Sequence, residues 1–232
     1  MGATIVVARE RDELSARDPA VLLDLFRAQS EGVSRAPNGL YKTLREAMPD
    51  VQYLLDGKDL RASELFVNGT VVTVEPGRSF RWEFSGDVES RVAVDNDDPT
   101  RQVTTYHLTV SIEGVVSGPN VERPGKELTV GLAVNGFLSA KSVEALLGSR
   151  VAMILVHSTV FDYDPTLWAI LQDGELLGLV AANGTVSFPL LSSDDPLLSG
   201  GVPTLRTLLE PADLNPIAVQ RGETPGSYIR LD

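Results

Sequence analysis

The apolar rhythm of this chain changes at about Arg61, and that change limits the fold more than any other feature. Before it, hydrophobic residues recur at helical spacing. Asp18 stands as an N-cap, Pro19 takes the first helical position, and Val21, Leu22, Leu25 and Phe26 share one face. A second short helix is expected from about Leu40 to Met48, stopped by Pro49. After Arg61 the apolar residues alternate. "ELFVNGTVVTVE" is β-branched with Gly69 in its middle, and glycine inside a strand marks a bulge or a sharp bend. "SFRWEF" puts Phe80, Trp82 and Phe84 on one face. "QVTTYHLTVSIEGVV" separates Val103, Thr105, His107, Thr109 and Ser111 from Tyr106, Leu108, Val110 and Ile112.

Further along, "ELTVGLAV" is a strand, and "SAKSVEALLGS" is a helix with Ser139 as cap, Val143, Leu146 and Leu147 inward and Gly148 as stop. "RVAMILVHS" is continuously apolar, as a strand buried on both faces requires. "LWAILQ", "ELLGLV" and "TVSF" are separated by Asp173-Gly174 and Asn183-Gly184, dipeptides that favour two-residue hairpin turns, so a three-strand meander is expected at 167–188. The tail is rich in Pro, Gly, Asp and Ser. It holds one short helix around Thr204–Leu209 and an end, "RGETPGSYIRLD", expected to be irregular.

The order bent strand, strand, strand, helix, strand and hairpin strands is that of an OB-like five-stranded antiparallel barrel, with the helix between the third and fourth strands. The chain is therefore expected to be mainly β in three regions: helical decoration over 1–60, the barrel over 61–190, and a C-terminal extension packed on it over 191–232. "ASELFVNGTVVTVEPGRSF", "YHLTVSIEGVVSG", "ELTVGLAV", "LLGSRVAMILVHS" and "DGELLGLVAANGTVSFP" resemble, in that order, a group of uncharacterised actinobacterial proteins, many of them secreted or lipoprotein-type, with a barrel of this kind. The likeness runs over about 63–188 and is one of spacing and hydrophobicity. It implies the barrel, and it brings no catalytic motif and no activity.

Charge limits the partners. Formal net charge is −12, and residues 61–190 carry nine Lys or Arg against sixteen Asp or Glu. Phosphate backbones are bound through clustered cations, so nucleic acid is not an expected partner. No apolar run reaches the roughly 20 residues that a membrane span needs. Read from Met1, the chain has no secretory leader and is expected in the cytoplasm; were a leader removed, it would be secreted. There is no cysteine, hence no disulfide and no thiolate chemistry.

Few residues offer chemistry. Asp162 and Asp164 in "STVFDYDPTLWAI" form a D-x-D pair of the kind that holds a divalent cation, but a hard cation needs more oxygen ligands and Asp-Pro opens turns, so a loop is expected. "VDNDDPT" gathers Asp95, Asp97 and Asp98 near Asn96. Asp95 and Asp97 alternate as calcium ligands do, yet Pro99 interrupts the loop and no glycine follows. His107 and His157 are the sole imidazoles; Ser158 adjoins His157, but strand neighbours point oppositely, and no G-x-S-x-G elbow exists. The aromatic stripe of Phe80 and Trp82, with Arg81 and with Trp168 elsewhere, is the candidate ligand-binding set. These residues point to a non-enzymatic binding or protein-interaction module, with a protein or a small ligand as partner and no cofactor. The alternative is a divalent-metal-dependent hydrolase or transferase using Asp162, Asp164, Asp95 and Asp97.

Overall fold

The computed structural model describes residues 52–59, 64–85, 88–117, 123–135, 140–157, 167–170, 176–188, 200–207, 216–221 and 228–231. The two helices expected before residue 50 lie outside them, as do Ser139, the Asp173-Gly174 turn, Asp162 and Asp164. Strands dominate what is described. In chain order they are β1 (Gln52–Leu55), β2 (Lys58–Asp59), β3 (Glu64–Ser85), β4 (Val88–Val94), β5 (Val103–Ser117) and β6 (Glu127–Asn135). Then come β7 (Arg150–His157), β8 (Trp168–Ile170), β9 (Leu177–Val180), β10 (Val186–Ser187), β11 (Pro216–Arg221) and β12 (Tyr228–Arg230). Helix α1 (Ala140–Glu144) lies between β6 and β7, and α2 (Gly201–Arg206) between β10 and β11.

The protein is mainly β, in two sheets. The larger has eight strands in the order β10-β9-β7-β8-β6-β5-β3-β4, and β7 also pairs with β3. β3 runs along β7 from Glu64↔Val156 to Thr70↔Arg150, while the other side of β7 is shared by β9 (Val151↔Leu179) and β8 (Leu155↔Ile170). β7 is therefore flanked on both sides over most of its length. Val151 to Leu155 are all buried, as the continuous apolar run requires.

β3 joins two expected strands into one of 22 residues, and its pairing with β5 shifts register at three places. At the first, Asn68 faces Gly114 and Gly69 faces Ile112, so Glu113 is the extra residue. At the second, Val71 faces Val110 and Thr73 faces Thr109, which leaves Val72 bulged and 39% exposed. At the third, Pro76 faces Tyr106 and Ser79 faces Thr104, so Gly77 and Arg78 together oppose Thr105. The bulge or bend expected at Gly69 is present as the first of these register shifts. "ELFVNGTVVTVE" and "SFRWEF", expected as separate strands, run on as one, with the Thr105 hydroxyl bonded to both backbone groups of Arg78 at the join.

The face of β5 carrying Tyr106, Leu108 and Val110 lies in the core with Leu65, Val67, Val130, Leu132, Met153 and Leu155. α1 buries Val143 and, just past its end, Leu146; Gly148 follows with φ +73°, the left-handed conformation that stops helices, and its N–H donates to the Val71 carbonyl at 2.6 Å. Leu147, expected inward, is 40% exposed.

The pairings depart from expectation in three further places. The meander at 167–188 is half present: β9 and β10 form the Asn183-Gly184 hairpin, with Val186 opposite Val180, but β8 pairs with β7 and β6. Secondly, the larger sheet is not wholly antiparallel, since β8 runs parallel to β6 with Val130 opposite Trp168. Thirdly, the tail is not simply irregular. β11 and β12 pair with each other, and β11 runs parallel to β1, giving a four-stranded sheet in the order β12-β11-β1-β2. That sheet joins residues from regions expected to be helical decoration and irregular extension. Among the described residues no helix is long and apolar enough to cross a membrane.

Candidate functional site

The Phe80-Trp82 stripe sits where β3 leaves the main sheet. Thr105 prepares that exit. Its hydroxyl accepts from the Arg78 backbone N–H at 2.8 Å and donates to the Arg78 carbonyl at 2.8 Å, so one side chain satisfies both backbone groups at the bulge. Thr105 is 1% exposed as a result. Beside it, the Ser79 hydroxyl donates to Asn96 Oδ1 at 2.8 Å. Its single proton being used there, Thr104 Oγ1 is the donor in the 3.0 Å contact between the two hydroxyls. Asn96 Nδ2 donates in turn to the Gly77 carbonyl at 3.1 Å.

Pairing with β5 ends at Phe80↔Val103, and Gln102 extends it by one rung. Its backbone N–H donates to the Phe80 carbonyl at 2.8 Å, and its side-chain Oε1 accepts from the Trp82 N–H at 2.6 Å. Beyond Trp82, β3 is paired among the described residues with β4 alone, as far as Ser85↔Val88. A two-stranded arm thus projects from the sheet.

Phe80 is the buried root of the arm, at 1% exposed, and Trp82 is half-buried. Arg91, directly across from Trp82 on β4, lays its guanidinium 4.8 Å from the Trp82 ring centre and 5.4 Å from that of Phe80. A cation over two aromatic faces is an attractive arrangement that strengthens as water is excluded. Arg81 belongs to the opposite face by strand alternation. It is held by Glu83 through Nε at 3.0 Å and Nη2 at 2.6 Å, with Thr100 at 3.4 Å. Trp168 stands on β8, in register with Val130 and His157 and packed on the core. Of the four expected ligand-binding residues the structure brings Phe80 and Trp82 together; Arg81 and Trp168 are placed elsewhere. Arg91 completes the face. Its signal was the two-residue spacing between Ser85 and Val88, which sets a hairpin register and puts Arg91 opposite Trp82.

The acidic loop at 95–100 is a pair of turns. The Asp98 N–H donates to the Asp95 carbonyl at 3.0 Å, and the Arg101 N–H to that of Asp98 at 3.2 Å. Asp98 Oδ1 accepts from the Thr100 hydroxyl at 2.6 Å and the Thr100 N–H at 2.7 Å, and these bonds hold its carboxyl below the usual carboxylate range. Asp95 and Asp97 are exposed on this loop. Among the described residues no three His, Asp or Glu side chains gather as a metal site. His107 is half-buried on β5, with Glu75 and Gly131 as register neighbours.

Glu113, the extra residue at the first bulge, meets Arg150 at 2.8 Å and accepts from Thr70 Oγ1 at 3.3 Å. The Arg150 hydrogen bond lowers the Glu113 pKa most, and the same bond raises that of Arg150. A carboxyl with a lowered folded pKa contributes stability above its unfolded pKa and loses it as pH falls through the folded one. Both side chains are 41% exposed, so solvent screening reduces the pair to no more than about 1 kcal/mol. Glu113→Gln is expected to lower stability by that amount at neutral pH and by nothing in strong acid. Urea unfolding at the two pH values measures the difference.

A last polar contact ties the tail to the sheet. Arg206 of α2 donates from Nη2 to Asn68 Oδ1 at 2.9 Å, and Asn68 is 4% exposed. Gly114, opposite Asn68, makes room: a Cβ there would collide with the Arg206 guanidinium. Compared with known proteins, the chain matches no family model, no curated protein and no solved structure.

Proposed function

We propose that this protein is a non-enzymatic binding module whose docking surface is the arm of β3 and β4, with a protein as its partner. The single observation that carries this is the half-buried Trp82 capped by Arg91 on a two-stranded projection. Trp and Arg are the side chains most often responsible for the energy of protein interfaces. Preorganisation supports the same reading: Thr105, Ser79, Asn96 and Gln102 all contribute hydrogen bonds that fix where the arm emerges. Asp98 and Glu113 are likewise engaged in bonds that shape loops and bulges.

The finer fold we propose is an OB-like barrel made of β3, β5, β6, β8 and β7. Its support is the return of the pairings from β7 to β3 and the place of α1 between β6 and β7.

Trp82→Ala keeps the buried root and removes the half-buried ring. Immobilised wild type and variant, exposed to the same lysate, are expected to differ by at least tenfold in recovery of a specific partner, the ~1.4 kcal/mol at which an interface residue becomes measurable. The variant should melt close to wild type. Equal recovery by both proteins would refute the arm as the docking surface.

A further inference from the structure

Among the described residues four strands end the two sheets: β10 and β4 in the larger, β12 and β2 in the smaller. β10 and β2 have two residues and β12 has three, whereas β4 has seven. Among the described residues β4 pairs with β3 alone, and none of them pairs with the other side of its backbone. A long unpaired edge invites another strand, and natural proteins rarely leave one uncovered.

The sequence of β4 says which strand fits. "VESRV" at 88–92 has Glu89 and Arg91 placed symmetrically about Ser90, with Val88 and Val92 outside them. An antiparallel pairing of β4 with a second β4 about Ser90 sets Glu89 across from the partner's Arg91 and Arg91 across from the partner's Glu89. Val88 then lies across from the partner's Val92, and serine meets serine on the axis. Opposite charges at cross-strand positions stabilise a pair, and like charges there destabilise it. No shift of one residue keeps this agreement, because such a shift moves every position to a new partner. We infer that the unpaired edge of β4 is a self-recognition edge, through which two copies of this chain join as a two-fold symmetric antiparallel dimer centred on Ser90.

The axis stands perpendicular to the arm, so the two copies present the same face on the same side. Trp82 and its stacked Arg91 from each copy then lie on one continuous four-stranded platform. The seam uses the strand edge and not the ring face, so it does not depend on the docking reading above.

The test is mass against concentration for the full chain, by light scattering or sedimentation. Wild type is expected to rise from the single-chain 25.0 kDa toward twice that between micromolar and millimolar protein, and less steeply in high salt. Glu89→Arg sets like charges across both ends of the seam, and should stay at the single-chain mass. The double variant Glu89→Arg with Arg91→Glu restores opposite charges and should regain the dimer; a melt of each protein checks that it is folded. Wild type that stays monomeric throughout overturns the inference. So does Glu89→Arg that associates like wild type, or a dimer abolished by Ile229→Lys and untouched by Glu89→Arg, which would put the seam on β12.

Discussion

Gly69→Val is expected to cost about 3 kcal/mol or more, enough to remove much of the stability of an ordinary domain. A Cβ at this position would run into the Ser111 carbonyl oxygen, with the carbonyl carbon and Val110 Cγ1 each at 3.0 Å. The obstacle is backbone in the middle of a paired strand. It cannot swing aside as the end of a side chain can, and Gly69 is also paired with Val151 on its other flank. The bulge at Glu113 brings the two strands this close, so relief would require unmaking the register on which Arg150 and Thr70 depend. Gly125→Ala is the matched control: a Cβ there meets nothing within 4 Å, and its change should fall within about 0.5 kcal/mol. Urea unfolding of both variants decides the matter. A Gly69→Val protein as stable as the control would mean the strands are not held this tightly.

Gly69 was legible because a glycine in a β-branched run has few other reasons to be there. The same local logic finds β5, β6, β7 and α1, whose patterns are carried by their own residues. It fails where the decisive partner is distant. "ELFVNGTVVTVE" and "SFRWEF" were expected as two strands, yet β3 runs through both, with the Thr105 hydroxyl, 27 residues on, serving both backbone groups of Arg78. β8 was expected to pair with its sequence neighbour β9. It pairs with β6 in parallel and with β7, because a three-residue strand goes wherever backbone groups are left open, and no pattern within "WAI" encodes that. β11 and β1 pair across more than 160 residues, with Gln52 opposite Pro216. At the site, alternation alone placed Phe80 and Trp82 together. Finding Arg91 needed the register of the hairpin, a relation between two strands.

Phe66→Ala carries the other large effect, about 3–5 kcal/mol, as for truncation of fully buried aromatic side chains. The reason lies in its position. Leu65 and Val67 point into the core shared with Met153 and Leu155, so Phe66, between them, points to the other side of the sheet with Asn68 and Ile154. Yet Phe66 is 0% exposed and Ile154 is 1%. The second side of β3 and β7 is therefore as dry as the first, and α2 contributes to it, since Arg206 reaches Asn68 and Leu205 is fully buried in the same cluster. Filling such a site depends on ring volume, because a cavity left there cannot be closed by strands locked on both flanks. At roughly 2–4 °C per kcal/mol for a domain of this size, the melting point should fall by about 6–20 °C. Val72→Ala, on the same strand but bulged outward, should shift it by about 2 °C at most. If Phe66→Ala melted no lower than Val72→Ala, the outer side of β3 would be wet, and neither the tail helix nor its arginine would be holding the sheet.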